Sequence, residues 1–353
     1  MKITIIGGGN IGTLMAAELA VKGHRVTMCT SEPALWRKRI DVYDAEDRLL
    51  LQGELEEITS DIKAAVQEAE LIWITLPAHL FRETAAKVCP LIREGQYVGI
   101  VPGTGGAEFT FREVVKRGGI LLGLQRVHGI ARLKERGKSV YMLGRKKGLK
   151  LGTIPASECA ALAAMTESFF DIPCTPVPNY LSVTLTPSNP ILHTARLYVM
   201  FKEYREGTVY PRNFLFYEEW DDASSEMLIA CDGELQALCE VIPMDLSAVE
   251  SLCDYYESRT ADAMTRKIRS IQAFKGLTSP MKQVQGGWIP DFHDRYFIAD
   301  FAYGLKIIKE LAVMYGVDTP CINQVWEWYA ACVGEAADSF VLEGDKAGVE
   351  RLY

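Results

Sequence analysis

The chain has 353 residues, which is long for a single hydrophobic core and favours two domains. Apolar residues make up 48% and charged residues 24%, the composition of an ordinary soluble globular protein. A net charge of -8 argues against a nucleic-acid partner, and the absence of an apolar run of about 18 residues argues against a membrane span.

Nine scattered cysteines form no C-x-x-C pair, and the sequence contains no H-E-x-x-H motif. This usage is typical of reduced thiols in a cytoplasmic protein without a metal site. The chain opens directly on a predicted strand, which leaves no room for a signal peptide.

The first element is a short β-branched strand that enters a glycine-rich turn. Gly7, Gly9 and Gly12 fill the pattern G-x-G-x-x-G, and a helical pattern follows. The first glycine permits a tight turn, the second a close approach of the backbone to a pyrophosphate, and the third helix–strand packing. The backbone N–H groups at the start of the helix, at Asn10 and Ile11, then point at the phosphates. The stretch predicts a dinucleotide-binding site.

The second predicted strand, residues 25–30, ends where the adenosine ribose is expected. NAD-dependent enzymes usually carry an acidic residue there, whereas this chain has Thr30 and Ser31, followed by the cationic Arg37. Hydroxyls beside a cation suit a 2′-phosphate, so the pattern favours NADP. Glu32 keeps NAD as the alternative.

Strand and helix patterns then alternate, which predicts an α/β fold with a doubly wound parallel (Rossmann) sheet. The ligand of such a sheet lies at the carboxyl ends of the strands. Two loops that follow buried strands are therefore the expected walls for the nicotinamide half, one with Leu76 and Pro77, the other with Gly103 and Thr104.

Two further predicted strands, residues 140–143 and 149–153, are expected to extend this sheet. A proline-rich stretch around Pro176 then marks the domain boundary, because long helical patterns with few strand signals follow it. We expect a dinucleotide-binding domain over residues 1–180 and an all-α substrate domain over 181–353, with cofactor and substrate in the cleft between them.

The helical half opens on the stretch Thr-Pro-Ser-Asn-Pro-Ile-Leu-His-Thr. Ser188 or Asn189 can cap a helix and Pro190 suits its first position, so His193 falls in the first helical turn. A helix N-terminus disfavours an imidazolium, and a nearby carboxylate would have to balance it. The stretch from Asp294 to Leu305 offers such a carboxylate, at Asp294 or at Asp300.

Four stretches carry a resemblance to a known family. They are the glycine loop, Asn-Pro-Ile-Leu-His-Thr, the Arg-Tyr-x-x-x-Asp stretch that is followed by Tyr-Gly-Leu, and Gly-Val-x-Thr-Pro. In this order they resemble the octopine/nopaline (opine) dehydrogenase family over nearly the whole chain.

The resemblance implies an NAD(P)-dependent oxidoreductase that acts on the CH–NH group of donors. In this family an amino acid condenses with a 2-oxo acid to an imine, which hydride from NAD(P)H reduces. The resemblance further implies His193 as the catalytic histidine, Asp300 as its partner and Arg295 as the substrate-binding arginine. One departure is that Ala299 and Ala302 stand where the family commonly has Glu and Pro.

The chemistry of these side chains agrees with those roles. Reductive condensation needs an acid–base group near neutral pH, an aspartate can fix the tautomer of a histidine, and arginine binds carboxylates through two parallel hydrogen bonds. On a continuous helix, Arg295 and Asp300 would lie about 140° apart. We therefore expect the helix to begin near Ile298 and Arg295 to lie in the preceding loop.

Alternative residues and functions remain open. The aromatic residues Tyr217 and Trp220 are interpreted as core that could reach substrate. Other candidates are His293 as a rival acid–base group, His79, His128 and Arg132 as cleft residues, and Trp326, Trp328 and Tyr329 as packing residues or a homodimer contact.

Two other activities fit a two-domain plan with a glycine loop. One is a 2-hydroxy/2-oxo acid or ketopantoate-like reductase with a catalytic lysine, for which Lys202 lies about two turns past His193. The other is a nucleotide-sensing protein that has lost its chemistry.

Overall fold

The computed structural model describes residues 1–334 and 339–353. These residues form two compact units, Met1–Thr184 with Arg351–Tyr353, and Leu185–Glu350. The first unit ends at Thr184, close to the expected domain boundary at residue 180. No sequence pattern indicated that the last three residues also belong to the first unit. Across the described ranges, no helix has both the length and the apolar character to cross a bilayer. All nine cysteines lie in these ranges and are free thiols.

The first unit alternates strands and helices. Its strands are β1 (Lys2–Ile6), β2 (Arg25–Cys29), β3 (Arg39–Tyr43), β4 (Leu49–Glu54), β5 (Glu57–Thr59), β6 (Leu71–Ile74), β7 (Tyr97–Ile100), β8 (Ile120–Leu124), β9 (Gly129–Glu135), β10 (Ser139–Arg145), β11 (Leu149–Ile154) and β12 (Cys174–Pro176). Its helices are α1 (Asn10–Val21), α2 (Ile62–Glu68), α3 (Phe81–Val88), α4 (Ala107–Thr110), α5 (Arg112–Lys116), α6 (Cys159–Phe170) and α7 (Leu181–Thr184).

Eight of these strands form one sheet, in the order β12-β11-β8-β7-β6-β1-β2-β5. Neighbouring strands are parallel, except that β11 runs antiparallel to β8. The strand order reverses between β1 and β6, which is the switch point where sheets of this kind bind ligands. The doubly wound parallel sheet predicted from the sequence is confirmed, and β11 extends it as expected.

A second sheet, in the order β4-β3-β10-β9, covers the other side of α1. Helix α1 is buried along most of its length because it packs between the two sheets. The expectation that residues 140–143 extend the first sheet is therefore wrong, since β10 pairs with β9 and β3. A strand pattern records burial and alternation, and it does not record which strands are partners.

The C-terminus of the chain is bound within the first unit. Glu108 is fully buried, and its two carboxylate oxygens accept hydrogen bonds from the Tyr353 hydroxyl, at 2.9 Å, and from Thr184 Oγ1, at 2.6 Å. Burial raises the pKa of Glu108 from its ordinary value of 4.5 to about 7. The last residue and the last helix of the N-terminal segment therefore meet at one carboxyl group.

The second unit is mainly helical, and the expected helical domain is confirmed. Its helices are α8 (Leu192–Phe201), α9 (Asp222–Val241), α10 (Leu252–Tyr255), α11 (Ala261–Ser270), α12 (Arg295–Ile298), α13 (Lys306–Tyr315), α14 (Pro320–Val333) and α15 (Lys346–Glu350). The unit also contains an antiparallel hairpin, β13 (Met281–Val284) with β14 (Gly287–Pro290), which the all-α expectation did not include.

Stacked aromatic rings form much of the interior of this unit. The rings of Phe301 and Tyr329 are 4.4 Å apart at their centroids, and Trp328 packs against Phe297 and Phe301. Contacts within the unit therefore account for Trp328 and Tyr329 as packing residues.

Candidate active site

The glycine turn between β1 and α1 has the geometry that the sequence pattern predicts. Gly7 has a positive φ of 117°, and its carbonyl accepts a hydrogen bond from Thr75 Oγ1 at 3.0 Å. A Cβ atom on Gly12 would lie only 1.9 Å from that same carbonyl oxygen. The turn can close only because both positions are glycine.

The residues around this turn fit a bound pyrophosphate. Gly9 is exposed, and no described atom lies within 4 Å of the position that a Cβ would take there. Among the described residues no side chain caps α1, so its first N–H groups are available to phosphate oxygens, and the adjacent Ile11 is half-buried. Asn10 accepts the backbone N–H of Leu133 at 2.8 Å, which fixes the start of α1 against β9.

The two loops expected to hold the nicotinamide half differ in what they offer a ligand. Leu76 packs beside Gly7 and is half-buried, whereas Pro77 is exposed. Thr104 is half-buried in the loop that follows β7. These three positions remain candidates for contact with a cofactor.

Gly103 has a different explanation. Its N–H donates to the carbonyl of Leu124 at 2.7 Å, and its carbonyl accepts from the Tyr180 hydroxyl at 3.1 Å. A Cβ there would lie 2.6 Å from Gly123. The close approach of backbone segments is enough to explain this buried glycine, and its contact with a cofactor stays a prediction.

The end of β2 is polar and cationic, as expected. Thr30 is buried and Ser31 is exposed. The guanidinium of Arg37, however, forms a close ion pair with Asp41 and donates from Nε to the carbonyl of Arg39 at 2.7 Å. Arg37 is thus already bonded to the protein and would have to exchange partners to bind a phosphate.

Sequence reasoning missed a second cation at this position. Arg136, in the turn between β9 and β10, forms a close ion pair with Glu32. The neighbouring Gly137 has a φ of 72° and accepts the backbone N–H of Arg37 at 3.0 Å, which holds this turn against the loop after β2. The sequence around the end of β2 gave no indication of Arg136, because this residue is far from β2 along the chain.

His193 lies in the first turn of α8, as predicted. The helix begins at Leu192 rather than at Pro190, and neither Ser188 nor Asn189 caps it with a side chain. The main chain supplies the cap instead, because the N–H of His193 donates to the carbonyl of Asn189 at 3.1 Å. The imidazole is held at the beginning of a regular helix.

Both ring nitrogens of His193 have hydrogen-bond partners. Nδ1 lies 2.7 Å from Oδ2 of Asp300, and Nε2 lies 2.9 Å from the hydroxyl of Tyr217. The exposed fractions are 6% for His193, 9% for Asp300 and 4% for Tyr217, so water competes little for these bonds. The carboxylate accepts the Nδ1 proton, which leaves Nε2 as the nitrogen that exchanges a proton with other groups.

The segment that carries Asp300 is an irregular helix. Asp294 caps α12 by accepting the N–H of Tyr296 at 2.9 Å, and Arg295 is the first residue of that helix. The expectation of a loop at Arg295 and a helix start near Ile298 is therefore wrong. Residues 301–305 form a π-helical turn after Asp300, so the uniform 100° spacing behind that expectation does not apply.

Arg295 and Tyr296 extend the cluster toward solvent. The Tyr296 ring packs against the imidazole of His193 with centroids 4.4 Å apart. The exposed guanidinium of Arg295 lies 5.6 Å from the centre of the Tyr296 ring. It makes no hydrogen bond or ion pair with residues 1–334 or 339–353, so it is available to a carboxylate ligand.

One turn after His193, the buried Arg196 binds the segment that carries Tyr217. Its guanidinium donates to the carbonyls of Phe216, at 3.3 Å, and Glu219, and it pairs with Asp221 at 3.1 Å. These bonds fix the backbone on both sides of Tyr217. The adjacent Trp220 is fully buried and is a core residue, as interpreted from the sequence.

Among the described residues, none of the other basic candidates hydrogen-bonds to the His193 ring. His128 belongs to the interior of the first unit, where Nε2 lies 2.6 Å from Oε2 of Glu18 and the ring stacks on Phe170. The expectation that His128 lines a cleft is therefore wrong. Lys202 is exposed and lies nine positions after His193, about 180° around the helix, so it does not face the same side. The three remaining basic candidates have exposed side chains, namely His79, Arg132 and His293.

Comparison with known proteins agrees with both units. A model of the alpha-helical domain of NAD/NADP octopine/nopaline dehydrogenase matches residues 176–333. A model of the N-terminus of NAD-dependent glycerol-3-phosphate dehydrogenase matches residues 2–111. The two matches correspond to a helical domain and a nucleotide-binding sheet.

Similar proteins align over almost the full length. Octopine dehydrogenase of Mizuhopecten yessoensis is 25% identical over 99% of this chain and 93% of its own. Tauropine dehydrogenase of Arabella iricolor is 25% identical over 94% of this chain and 91% of its own. A solved structure of octopine dehydrogenase with NADH and L-arginine has the same fold, with a TM-score of 0.83, 23% identity and coverage of 95% of this chain and 90% of that one. Residues 176–333 therefore match the helical domain of octopine/nopaline dehydrogenases, and the chain is similar over almost its full length to octopine and tauropine dehydrogenases.

Proposed function

We propose that this protein is an opine dehydrogenase, which joins an amino acid to a 2-oxo acid by reductive condensation and catalyses the reverse oxidation. The observation that carries the proposal is the buried pair of His193 and Asp300, 2.7 Å apart, in the domain that matches the family model. An imidazole with a carboxylate on one nitrogen is an acid–base group suited to neutral pH.

His193 would serve the proton transfer that expels water during the condensation. The amine of the amino acid attacks the carbonyl carbon of the 2-oxo acid, and water leaves when the carbinolamine hydroxyl is protonated. His193, protonated at Nε2, donates that proton, and Asp300 stabilises the imidazolium from the other side of the ring. When bound, the nicotinamide cofactor supplies the hydride that reduces the resulting iminium to a secondary amine.

Arg295 would hold a substrate carboxylate. Both substrates carry a carboxylate beside the reacting group, and a guanidinium binds a carboxylate through two parallel hydrogen bonds. The guanidinium is exposed and without an ion-pair partner in the described parts of the chain, and it lies next to Tyr296, which packs on His193. These contacts support a role in binding and orienting the 2-oxo acid.

We further propose NADP as the preferred cofactor, with NAD as the alternative. Thr30, Ser31 and Arg37 support the choice, and Arg136 adds a second cation. Either partner of the Arg136–Glu32 ion pair can contact a cofactor. The guanidinium of Arg136 suits the 2′-phosphate of NADP, and the carboxylate of Glu32 suits the free ribose hydroxyls of NAD. Tight binding of NADPH requires Arg136 to exchange Glu32 for the phosphate.

Equilibrium binding tests the cofactor proposal without any turnover. Dissociation constants for NADPH and NADH are measured by nucleotide fluorescence with the wild type, Arg136→Ala and Arg37→Ala. We expect the wild type to bind NADPH more tightly than NADH, and Arg136→Ala to lose about tenfold in NADPH affinity with little change for NADH. Tighter binding of NADH by the wild type would establish the alternative.

A substrate screen tests the reaction itself. Amino acids are paired with 2-oxo acids, and oxidation of NADPH and NADH is followed side by side. An opine dehydrogenase oxidises the cofactor only when both substrates are present. If a 2-oxo acid alone is reduced as fast as the pair, the protein is a simple oxo-acid reductase and the condensation proposal fails.

A variant at His193 separates the enzyme from a nucleotide sensor. We expect His193→Ala to lose turnover by about 10²-fold or more while nucleotide binding is kept. If the wild type and the variant both bind nucleotide but neither oxidises it with any substrate pair, the protein is a sensor rather than an enzyme.

A further inference from the structure

We propose that Tyr217 is a positioning residue, whose hydroxyl holds Nε2 of His193 and stabilises the imidazole in both of its protonation states. The inference rests on the proposed function, because it assigns a second partner to the same acid–base group. It adds a residue that neither the motifs nor the aspartate pairing reveals.

The proposal starts from a chain of hydrogen bonds. Asp300 bonds to Nδ1 of His193, Tyr217 bonds to Nε2 at 2.9 Å, and the phenol of Tyr217 interacts with that of Tyr296. When the imidazole is neutral, the Tyr217 hydroxyl donates to Nε2. When the imidazole is protonated, the same oxygen accepts from Nε2–H and donates its own proton to Tyr296.

This exchange of donor and acceptor requires that the phenol itself stays neutral. Burial raises the pKa of the Tyr217 phenol well above its ordinary value of 10 and also raises that of Tyr296. Both phenols therefore keep their protons across the working pH range. Reorientation of the two phenol hydroxyls is the only change needed between the two states.

The position of the Tyr217 hydroxyl is fixed from two sides. Its ring stacks on Phe274 with centroids 4.0 Å apart. Behind it, Arg196 bonds to the carbonyls of Phe216 and Glu219, on either side of Tyr217. Because Arg196 and His193 are three residues apart on α8, one helix holds both the imidazole and the segment that carries its tyrosine.

A substrate oxygen or nitrogen can replace the hydroxyl at Nε2. Tyr217 can then turn its hydroxyl to Tyr296, with whose phenol it interacts, so the exchange need not leave that buried hydroxyl without a partner. Tyr217 therefore holds the imidazole in its reactive orientation until substrate arrives. Its loss should lower kcat and leave the KM values almost unchanged.

The Tyr217→Phe variant removes the hydroxyl and keeps the stacked ring. A hydrogen bond to the charged imidazolium is stronger than one to the neutral ring, so losing it destabilises the charged form more. We expect kcat of the condensation to fall about tenfold and the alkaline limb of its pH–rate profile to move about one pH unit lower. The groups that face His193, and that stay in place, are Asp300, Tyr296 and, through Tyr296, Arg295.

A spectroscopic readout makes the test independent of turnover. The chain has five histidines, so ¹⁵N-histidine spectra are simple, and His193→Gln identifies the resonance of His193. The midpoint of its NMR titration should move in the same direction in Tyr217→Phe as the pH–rate profile. Tyr296→Phe, which removes the alternative acceptor, should give a smaller shift with the same sign.

Tyr198→Phe is the matched control. Its hydroxyl accepts from Gln324 at 2.9 Å, and it lies about 140° around α8 from His193. We expect no change in kcat or in the His193 titration for this variant.

The two proposals fail in different ways. If the NMR midpoint and kcat of Tyr217→Phe match the wild type, Tyr217 is a packing residue and the inference is wrong. If the midpoint moves as expected but no amino acid and 2-oxo acid pair is turned over by the wild type, the hydrogen-bond inference holds and the proposed function does not. A shift toward higher pH would also contradict the inference, because it would mean that the hydroxyl favours the neutral ring.

Discussion

His193 depends on groups that differ in how far they lie from it along the chain. Asp300 was accessible from the sequence because the Arg-Tyr-x-x-x-Asp stretch carries the family resemblance. Tyr217 was interpreted mainly as core, since an aromatic residue in an apolar run is usually buried for packing. Its hydroxyl matters because the segment after α8 folds back onto the helix, and no local pattern records that contact.

The contribution of the negative charge of Asp300 to turnover can be tested with a substitution that replaces a single atom. Asp300→Asn keeps the size of the side chain and an oxygen that can accept from Nδ1, but it removes the negative charge beside the imidazolium. We expect kcat to fall by about 10²-fold or more, with nucleotide affinity unchanged. Steady-state kinetics and fluorescence titration measure the two quantities. Near-normal turnover would mean that Asp300 is only a structural partner.

Among the secondary-structure elements, the glycine turn was the most predictable. The positions of Gly7, Gly9 and Gly12 follow from the turn, the open space and the close packing that a Rossmann unit needs at its first strand and helix. The second sheet was not predictable in the same way. Strands β3, β4, β9 and β10 have ordinary strand patterns, and only the fold determines that they pair with one another across α1.

The irregular helix at Asp300 shows another limit at this scale. Assuming a uniform helix separated Arg295 from Asp300, so a loop was inferred. The chain instead forms α12, a π-helical turn and α13 in succession. Hydrogen-bond spacing within a helix depends on what it packs against, and the periodicity of the sequence does not specify it.

Two glycine substitutions separate cofactor binding from folding. Gly9→Ala places its methyl group in open space, so we expect normal stability but a loss of about tenfold or more in NADPH affinity. Gly12→Ala places the methyl group 1.9 Å from the Gly7 carbonyl, and we expect a cost of about 1–3 kcal/mol or more in stability. Thermal unfolding and fluorescence titration distinguish the two. Unchanged NADPH affinity in Gly9→Ala would place the pyrophosphate elsewhere.

For the whole molecule, the buried carboxyl of Glu108 links stability to pH. Its pKa is raised from 4.5 to about 7 because burial disfavours the charged form. The folded state therefore holds a proton that the unfolded chain releases. The resulting stability is present below pH 4.5 and is lost as the pH rises toward 7, a difference of about 3 kcal/mol by linkage.

The Glu108→Gln variant cannot ionise, so its Tm should fall less steeply than that of the wild type between pH 4.5 and 7. The exposed Glu226 on α9 provides the control, and Glu226→Gln should keep the wild-type slope. Tm is measured by circular dichroism at several pH values. Parallel curves for the wild type and Glu108→Gln would show that the carboxyl does not carry the pH dependence.

The helical unit is inserted into the chain of the first unit, and the hydrogen bonds of Glu108 join the two segments on either side of it. The nucleotide-binding chain leaves at Thr184 and resumes at Arg351, and Thr184 and Tyr353 both bond to Glu108. The ends of the two segments, at Thr184 and Arg351, are therefore neighbours in space, and a short peptide linker can join them. Residues 1–184 expressed alone would lack the tyrosine and leave Glu108 short of a donor, whereas a spliced gene that keeps residues 351–353 would restore it.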